Sequence, residues 1–147
     1  VLSELLTEEC IQFLPSCKDW DEALHIVAQP LLQAQKIDER YVHVIRENIS
    51  NGKANYLVLR EGFALPHARP EDGVNETGMS LLKLEDPVYF NDDPSSPIYL
   101  IVLIASIDSE THLRALSTLV EYVAEDEDFE QLKEMKHKIE LLTLMAE

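Results

Sequence analysis

Positive charge is scarce in this chain. Twelve Lys and Arg stand against 28 Asp and Glu, a formal net charge of −16 over 147 residues. Nucleic acids and anionic membranes repel such a surface, so neither is expected as a partner, whereas a basic protein is favoured. Acidity of this kind also keeps a domain soluble, whatever its partners. Cysteine is nearly absent. Cys10 and Cys17 are too few for a disulfide framework, and their spacing is that of neither a zinc knuckle nor a redox dithiol. They are expected as reduced thiols, at least one packed as a small apolar group. No apolar run approaches the roughly 20 residues of a membrane-spanning helix. Val1-Leu2-Ser3-Glu4 has neither the basic stretch nor the apolar run of a secretory signal. These absences predict a soluble, cytoplasmic chain with no direct membrane insertion.

What is present fits one globular domain over residues 1–147. The apolar fraction of 46% suits a packed core, and there is no repeat, low-complexity segment or linker. Asp19 with Glu22 three residues on has capping-box spacing. Trp20, Leu24, Val27, Leu31 and Leu32 follow on one helical face, and Pro30 is expected to kink or divide that helix. Asp38 is expected to cap a second helix through Tyr41, Val42 and Ile45, ending near Asn51-Gly52. Apolar runs at 56–59, 63–65, 78–84 and 98–104 then read as four strands, covered on both faces. Between the last two runs, the segment 91–97 reads as a surface turn. From Ser109 the helical period returns, with Leu113, Leu116, Val120 and Val123 as a stripe and Leu119 beside it. Asp126 is expected to cap a short helix containing Phe129, Leu132 and Met135. Ile139, Leu141, Leu142 and Leu144 suggest a last one. Helices, then strands, then helices predict an α/β fold with one central sheet between helical layers.

The segment Gly62-Phe63-Ala64-Leu65-Pro66-His67-Ala68-Arg69-Pro70 is the candidate for chemistry. His67 ends an apolar strand, and Pro66 and Pro70 restrict the backbone on either side. Ala68 leaves room, and Arg69 brings positive charge close. A near-neutral imidazole has a free ring nitrogen that can attack phosphorus, and the phosphohistidine it forms is labile enough to pass the group on. The new dianion needs donors nearby: an arginine, a second histidine or backbone amides. His112 follows Ser109-Glu110-Thr111 in the first turn of a helix, where free N–H groups and the helix dipole favour anions. Taken singly, each of these residues has an ordinary role: a His beside Pro is a surface or capping residue, and Arg69 a surface charge. His25, His43 and His137 read as packing or solvent-exposed. Residue physics alone stops at a soluble α/β domain with one constrained histidine.

Gly62 to Ala68 resembles the active-site segment of the mannitol/fructose-type enzyme IIA domains of the bacterial sugar phosphotransferase system. Asp19-Trp20-Asp21-Glu22-Ala23, Leu31-Leu32 and Tyr41 are similar to that family's N-terminal helices. His112-Leu113, Leu116 and Leu119 are similar to its second-histidine helix, so the likeness runs in order from about Asp19 to Leu132. Tyr56-Leu57-Val58-Leu59 through Val74, with Pro87-Val88-Tyr89-Phe90, most resembles the ascorbate-type members.

The resemblance implies a central mixed β-sheet sandwiched between helices, and a phosphoryl carrier. The phosphocarrier protein HPr would phosphorylate His67, a IIB cysteine would accept the group, and a membrane IIC component would transport the sugar, possibly ascorbate. His112 would hold or polarise the phosphoryl group, with Ser109 at the same helix start. The family's supporting arginine comes from between the second helix and the first strand. Arg46 is nearest by order but wrongly spaced, so Arg69 stays open beside it. No metal or cofactor is required. HPr-like partners are basic around their active site, so an acidic rim around an apolar patch near His67 would steer the encounter. Two other readings use the same histidines. A regulatory relative would signal its phosphorylation state to a binding partner. A metal-dependent hydrolase would use His67, His112 and an acid such as Asp108, although no tight ligand cluster supports it.

Overall fold

The computed structural model describes residues 5–53, 57–123 and 125–146. Five strands form one mixed sheet: β1 (Ile11–Leu14), β2 (Val58–Arg60), β3 (Phe63–Ala64), β4 (Gly78–Tyr89) and β5 (Pro97–Ala105), in the order β1-β4-β5-β3-β2. β1 runs parallel to β4 and β3 parallel to β5, while β4–β5 and β2–β3 are antiparallel. Helices α1 (Trp20–Gln33) and α2 (Glu39–Asn48) cover one face, and α3 (Ser109–Val123), α4 (Asp126–Glu134) and α5 (Lys138–Ala146) cover the other. Alternation along β5 builds both cores. Ile101 and Leu103 pack with Leu24, Val27 and Ile45 on one side, and Leu100, Val102 and Ile104 with Leu119 and Phe129 on the other. Each such side chain contributes roughly 1.5–3 kcal/mol by leaving water. The expected mixed sheet between helical layers is therefore the fold.

Several elements differ from the sequence reading. β1 was not expected, and the sheet has five strands where four were read. Only Ile11 of its four residues is fully buried, because β1 is an edge strand and its pattern is too short and too mixed to stand out. β2 was expected to be covered on both faces. It is the opposite edge, with Leu59 37% exposed; Tyr56 lies outside the described residues. β4 continues past Leu84 to Tyr89, and its register with β5 shifts between Lys83 and Val88, where Pro87 costs no ladder hydrogen bond.

The helices hold similar corrections. Asp19 caps α1 by accepting from the Glu22 amide at 2.9 Å, while the Glu22 carboxylate accepts from the Lys18 amide at 2.9 Å. Pro30 does not divide α1, which runs unbroken through it. Proline at this position deprives the Ile26 carbonyl of its helical donor. Gln12 of β1 supplies the replacement, its Nε2 donating to Ile26 O at 2.8 Å. Asp38 sits at the N-cap of α2 without a side-chain cap bond; its carboxylate accepts from Asn75 Nδ2 instead. Asp126 is the first residue of α4 and Glu125, with extended backbone, its N-cap; the Asp126 carboxylate accepts from Arg60 at 2.7 Å. The inward stripe of α3 is Ala115, Leu119 and Val123, with Leu113 and Val120 exposed. That rotation puts His112, three residues before Ala115, on the inward side. Cys10 and Cys17 are free, half-buried thiols packed against the apolar cores.

Candidate functional site

The site forms where the loop after β3 meets the start of α3. The Ile104 amide donates to Pro66 O at 3.2 Å and so extends the β3–β5 pairing up to His67. Tyr41, fully buried in α2, fixes the next peptide. Its hydroxyl donates to Ile104 O at 2.6 Å and accepts from the Ala68 amide at 3.0 Å. Burial, more than any other influence, pushes the Tyr41 phenol up to about 12, so it acts as a neutral strut. The loop closes against α2 through Gly73, at φ 133°, where a Cβ would lie 3.0 Å from the Tyr41 amide nitrogen. Only glycine combines that backbone with that approach.

His67 Nδ1 lies 2.7 Å from Leu65 O. A carbonyl only accepts, so Nδ1 carries the proton and the free lone pair sits on Nε2. The His112 ring stands beside it, centroids 5.0 Å apart and planes inclined at 45°. Burial, and secondarily the charge of His67, lowers the His112 pKa below its ordinary value. The start of α3 is capped by Asp108, whose carboxylate accepts from the Thr111 amide at 2.7 Å. That bond, more than any other influence, holds the Asp108 carboxyl low.

His67 divides two cavities. One, of about 300 Å³, is lined by Ser106, Asp108, Ser109, His112 and Leu113 together with His67. The other, of about 450 Å³, is lined by Asn48, Lys53, Leu57 and Asp72 together with His67. Arg69 borders both, largely exposed and tied to Asp72 at 3.3 Å. Hydrogen bonding between the two raises the Arg69 pKa and lowers that of Asp72.

The structure thus brings together His67, His112, Arg69 and Ser109. It does not bring Arg46, whose Nε donates to Asp21 at 2.9 Å and which borders neither cavity. The cation between α2 and β2 that does reach His67's surroundings is Lys53, which sequence reasoning missed. It closes the π-helical turn Ile49–Lys53, in which Gly52 takes φ 83°. The Asn51-Gly52 stop signal was the available clue, since such a glycine redirects the chain. His25, His43 and His137 are exposed. Among the described residues, no three His, Cys, Asp or Glu side chains converge as a metal site.

Residues 4–147 match the family described as "Phosphoenolpyruvate-dependent sugar phosphotransferase system, EIIA 2", and the chain belongs to that family of phosphoryl-transfer components. It is 41% identical over 134 residues to the mannitol-specific cryptic phosphotransferase enzyme IIA component of Escherichia coli, covering 89% of this chain and 88% of the relative. A solution structure of that kind of protein, the E. coli cryptic IIA CmtB, aligns with a TM-score of 0.90 at 36% identity, over 99% of this chain and 97% of the other. The ascorbate-specific EIIA component of E. coli is 30% identical over 142 residues, covering 96% of this chain and 92% of the relative. The fold is also that of E. coli IIAMtl, solved in complex with phosphorylated IIBMtl (TM-score 0.79, 21% identity, 97% of this chain and 99% of the other). No helix in the described residues is long and apolar enough to cross a membrane.

Proposed function

We propose that this chain is a phosphoryl carrier that accepts a phosphoryl group from phospho-HPr on Nε2 of His67 and delivers it to a cysteine of a IIB partner. The observation that carries this reading is the hydrogen bond from His67 Nδ1 to Leu65 O, which leaves Nε2 as the nucleophile in a ring bordering both cavities. In the first transfer the Nε2 lone pair attacks phosphorus in line, the P–N bond of the donor breaks, and its electron pair stays on the donor imidazole. In the second, a thiolate forms the S–P bond, the His67 P–N bond breaks, and Nε2 regains its lone pair. The proton stays on Nδ1, donated to Leu65 O, throughout, so neither step waits for a proton.

The added dianion would lie beside His112, the amide end of α3 at Ser109 and Arg69, with Lys53 in the cavity on the other side of His67. Each favours negative charge there, and the fixed ring geometry supplies the positioning. Exposed Ile107 and Leu113 beside exposed Asp108 and Glu110 suit brief docking of a basic partner. A membrane IIC component would take up the sugar. Its identity follows the relatives: the higher identity to the mannitol-named one favours a polyol, with ascorbate second. The test is a reconstituted relay of phosphoenolpyruvate, enzyme I, HPr, this chain and a IIB protein. Label should reach the IIB cysteine only when this chain is present. Label that stops here, with a change in the binding of another protein, would instead establish a regulatory role.

A further inference from the structure

Ser106 follows the last residue of β5 and is 5% exposed. Its hydroxyl oxygen is shut off from solvent and has no hydrogen-bond partner. A buried hydroxyl left unpaired costs folding free energy, so it needs a reason. The residue lines the cavity of about 300 Å³ shared by His67, Ser109 and His112. Nearby polar groups are already engaged: the Asp108 carboxylate by the Thr111 amide, the Ile107 amide by Thr77 Oγ1, and His67 Nδ1 by Leu65 O. Of the side chains lining that cavity, Ser106 is the one with a buried polar atom left without a partner among the described residues, and its donor hydrogen could meet an incoming oxygen. A serine has three staggered χ1 wells, so the hydroxyl can turn from the wall toward the cavity.

We propose that Ser106 is a phosphate ligand that works only in the phosphorylated protein, its hydroxyl donating to a phosphoryl oxygen carried on His67. The inference rests on the phosphohistidine reading above and adds a residue that sequence reasoning did not single out. It has a thermodynamic signature. In the free protein the hydroxyl makes no bond, so its removal loses none. In the phosphorylated protein its removal takes away a charge-assisted hydrogen bond, and the phosphoryl group is held less tightly. A serine kept for structure behaves the opposite way, because its removal weakens the free protein and leaves the phosphoryl equilibrium alone.

The test compares wild type and Ser106→Ala in three measurements: thermal unfolding of the free protein, the equilibrium of phosphoryl exchange with HPr, and the lifetime of the phosphohistidine. Ser106→Ala should unfold at the wild-type temperature or above it. Its exchange equilibrium should move toward phospho-HPr by about tenfold, the scale of one hydrogen bond to a charged group, and its phosphohistidine should hydrolyse faster. An unchanged equilibrium and lifetime in Ser106→Ala, with wild type labelled normally, overturns this inference alone. Absence of label on wild type overturns the phosphohistidine reading and this inference with it. A second measurement needs no variant: the Hα–Hβ couplings of Ser106 in wild-type protein should report a new χ1 on phosphorylation, and unchanged couplings would overturn the proposal.

Discussion

The rings of His67 and His112 stand 5.0 Å apart, centroid to centroid, with His112 half-buried beside the proposed phosphoryl acceptor. Burial first, and the charge of His67 second, lower the His112 pKa from its ordinary value. Between the lowered value and the ordinary one of about 6.5, the unfolded chain binds a proton that the native chain does not. Stability is therefore full above the ordinary value and falls as pH drops toward the lowered one. His112→Gln should flatten that part of the stability–pH curve. Phosphorylation reverses the sign, since a dianion beside His112 favours its protonated form. An NMR titration of the His112 ring should move from below the ordinary value in the free protein to above it in the phosphorylated one. No upward movement would remove His112 from the phosphoryl group's surroundings.

Tyr41 ties the peptide after His67 to the end of β5. Tyr41→Phe leaves the Ala68 amide without its acceptor and the Ile104 carbonyl without its hydroxyl donor. The cost is about 1–3 kcal/mol, the range for a buried polar group left unpaired. Urea unfolding should show that loss, and the rate of labelling from phospho-HPr should fall in protein that is still folded. A full loss of stability with an unchanged rate would make Tyr41 a structural residue with no part in positioning.

The cations around the site should separate by position. Lys53→Ala and Arg69→Ala each remove a charge bordering a cavity that holds His67, and each should shorten the life of the phosphohistidine. The Arg69 effect should be the larger, because Arg69 borders the cavity shared with Ser106 and His112, whereas Lys53 lines only the cavity on the other side of His67. Arg46→Ala removes partly exposed pairs with Asp21 and Glu47, each worth about 0–1 kcal/mol, and should leave the lifetime unchanged. A shortened lifetime in Arg46→Ala would return that residue to the site.

Gln12 and Pro30 are coupled through the Ile26 carbonyl. Gln12→Ala should destabilise the fold by about 1–3 kcal/mol, as a carbonyl loses its replacement donor. In a Pro30→Ala background the helix regains its own N–H, and most of that cost should vanish. Equal costs in both backgrounds, read from a double-mutant cycle in urea, would show that Gln12 acts elsewhere.

The layered fold was legible because both faces of the sheet are buried, which leaves long apolar runs in β4 and β5 and helical periods before and after them. Edges were harder to read. β1 carries one fully buried residue among four, and β2 leaves Leu59 exposed, so neither has the contrast that marks a central strand. The phase of α3 was misjudged because Ala115 anchors the helix and is too small to weigh in a hydrophobic pattern, whereas the larger Leu113 and Val120 face solvent. The candidate histidines were found through the ordered family likeness and their helix-start and proline contexts. Lys53 was missed because its direction is set by one positive-φ glycine. Ser106 was missed because an unpaired hydroxyl becomes visible only when its surroundings are packed.

The central claim is that His67 bears the phosphoryl group. Wild type, His67→Ala and His112→Ala should be incubated with labelled phosphoenolpyruvate, enzyme I and HPr, and the product examined by peptide mapping. Label on His67 in wild type, none in His67→Ala, and a weak or short-lived label in His112→Ala is the predicted result. Full labelling of folded His67→Ala would contradict it.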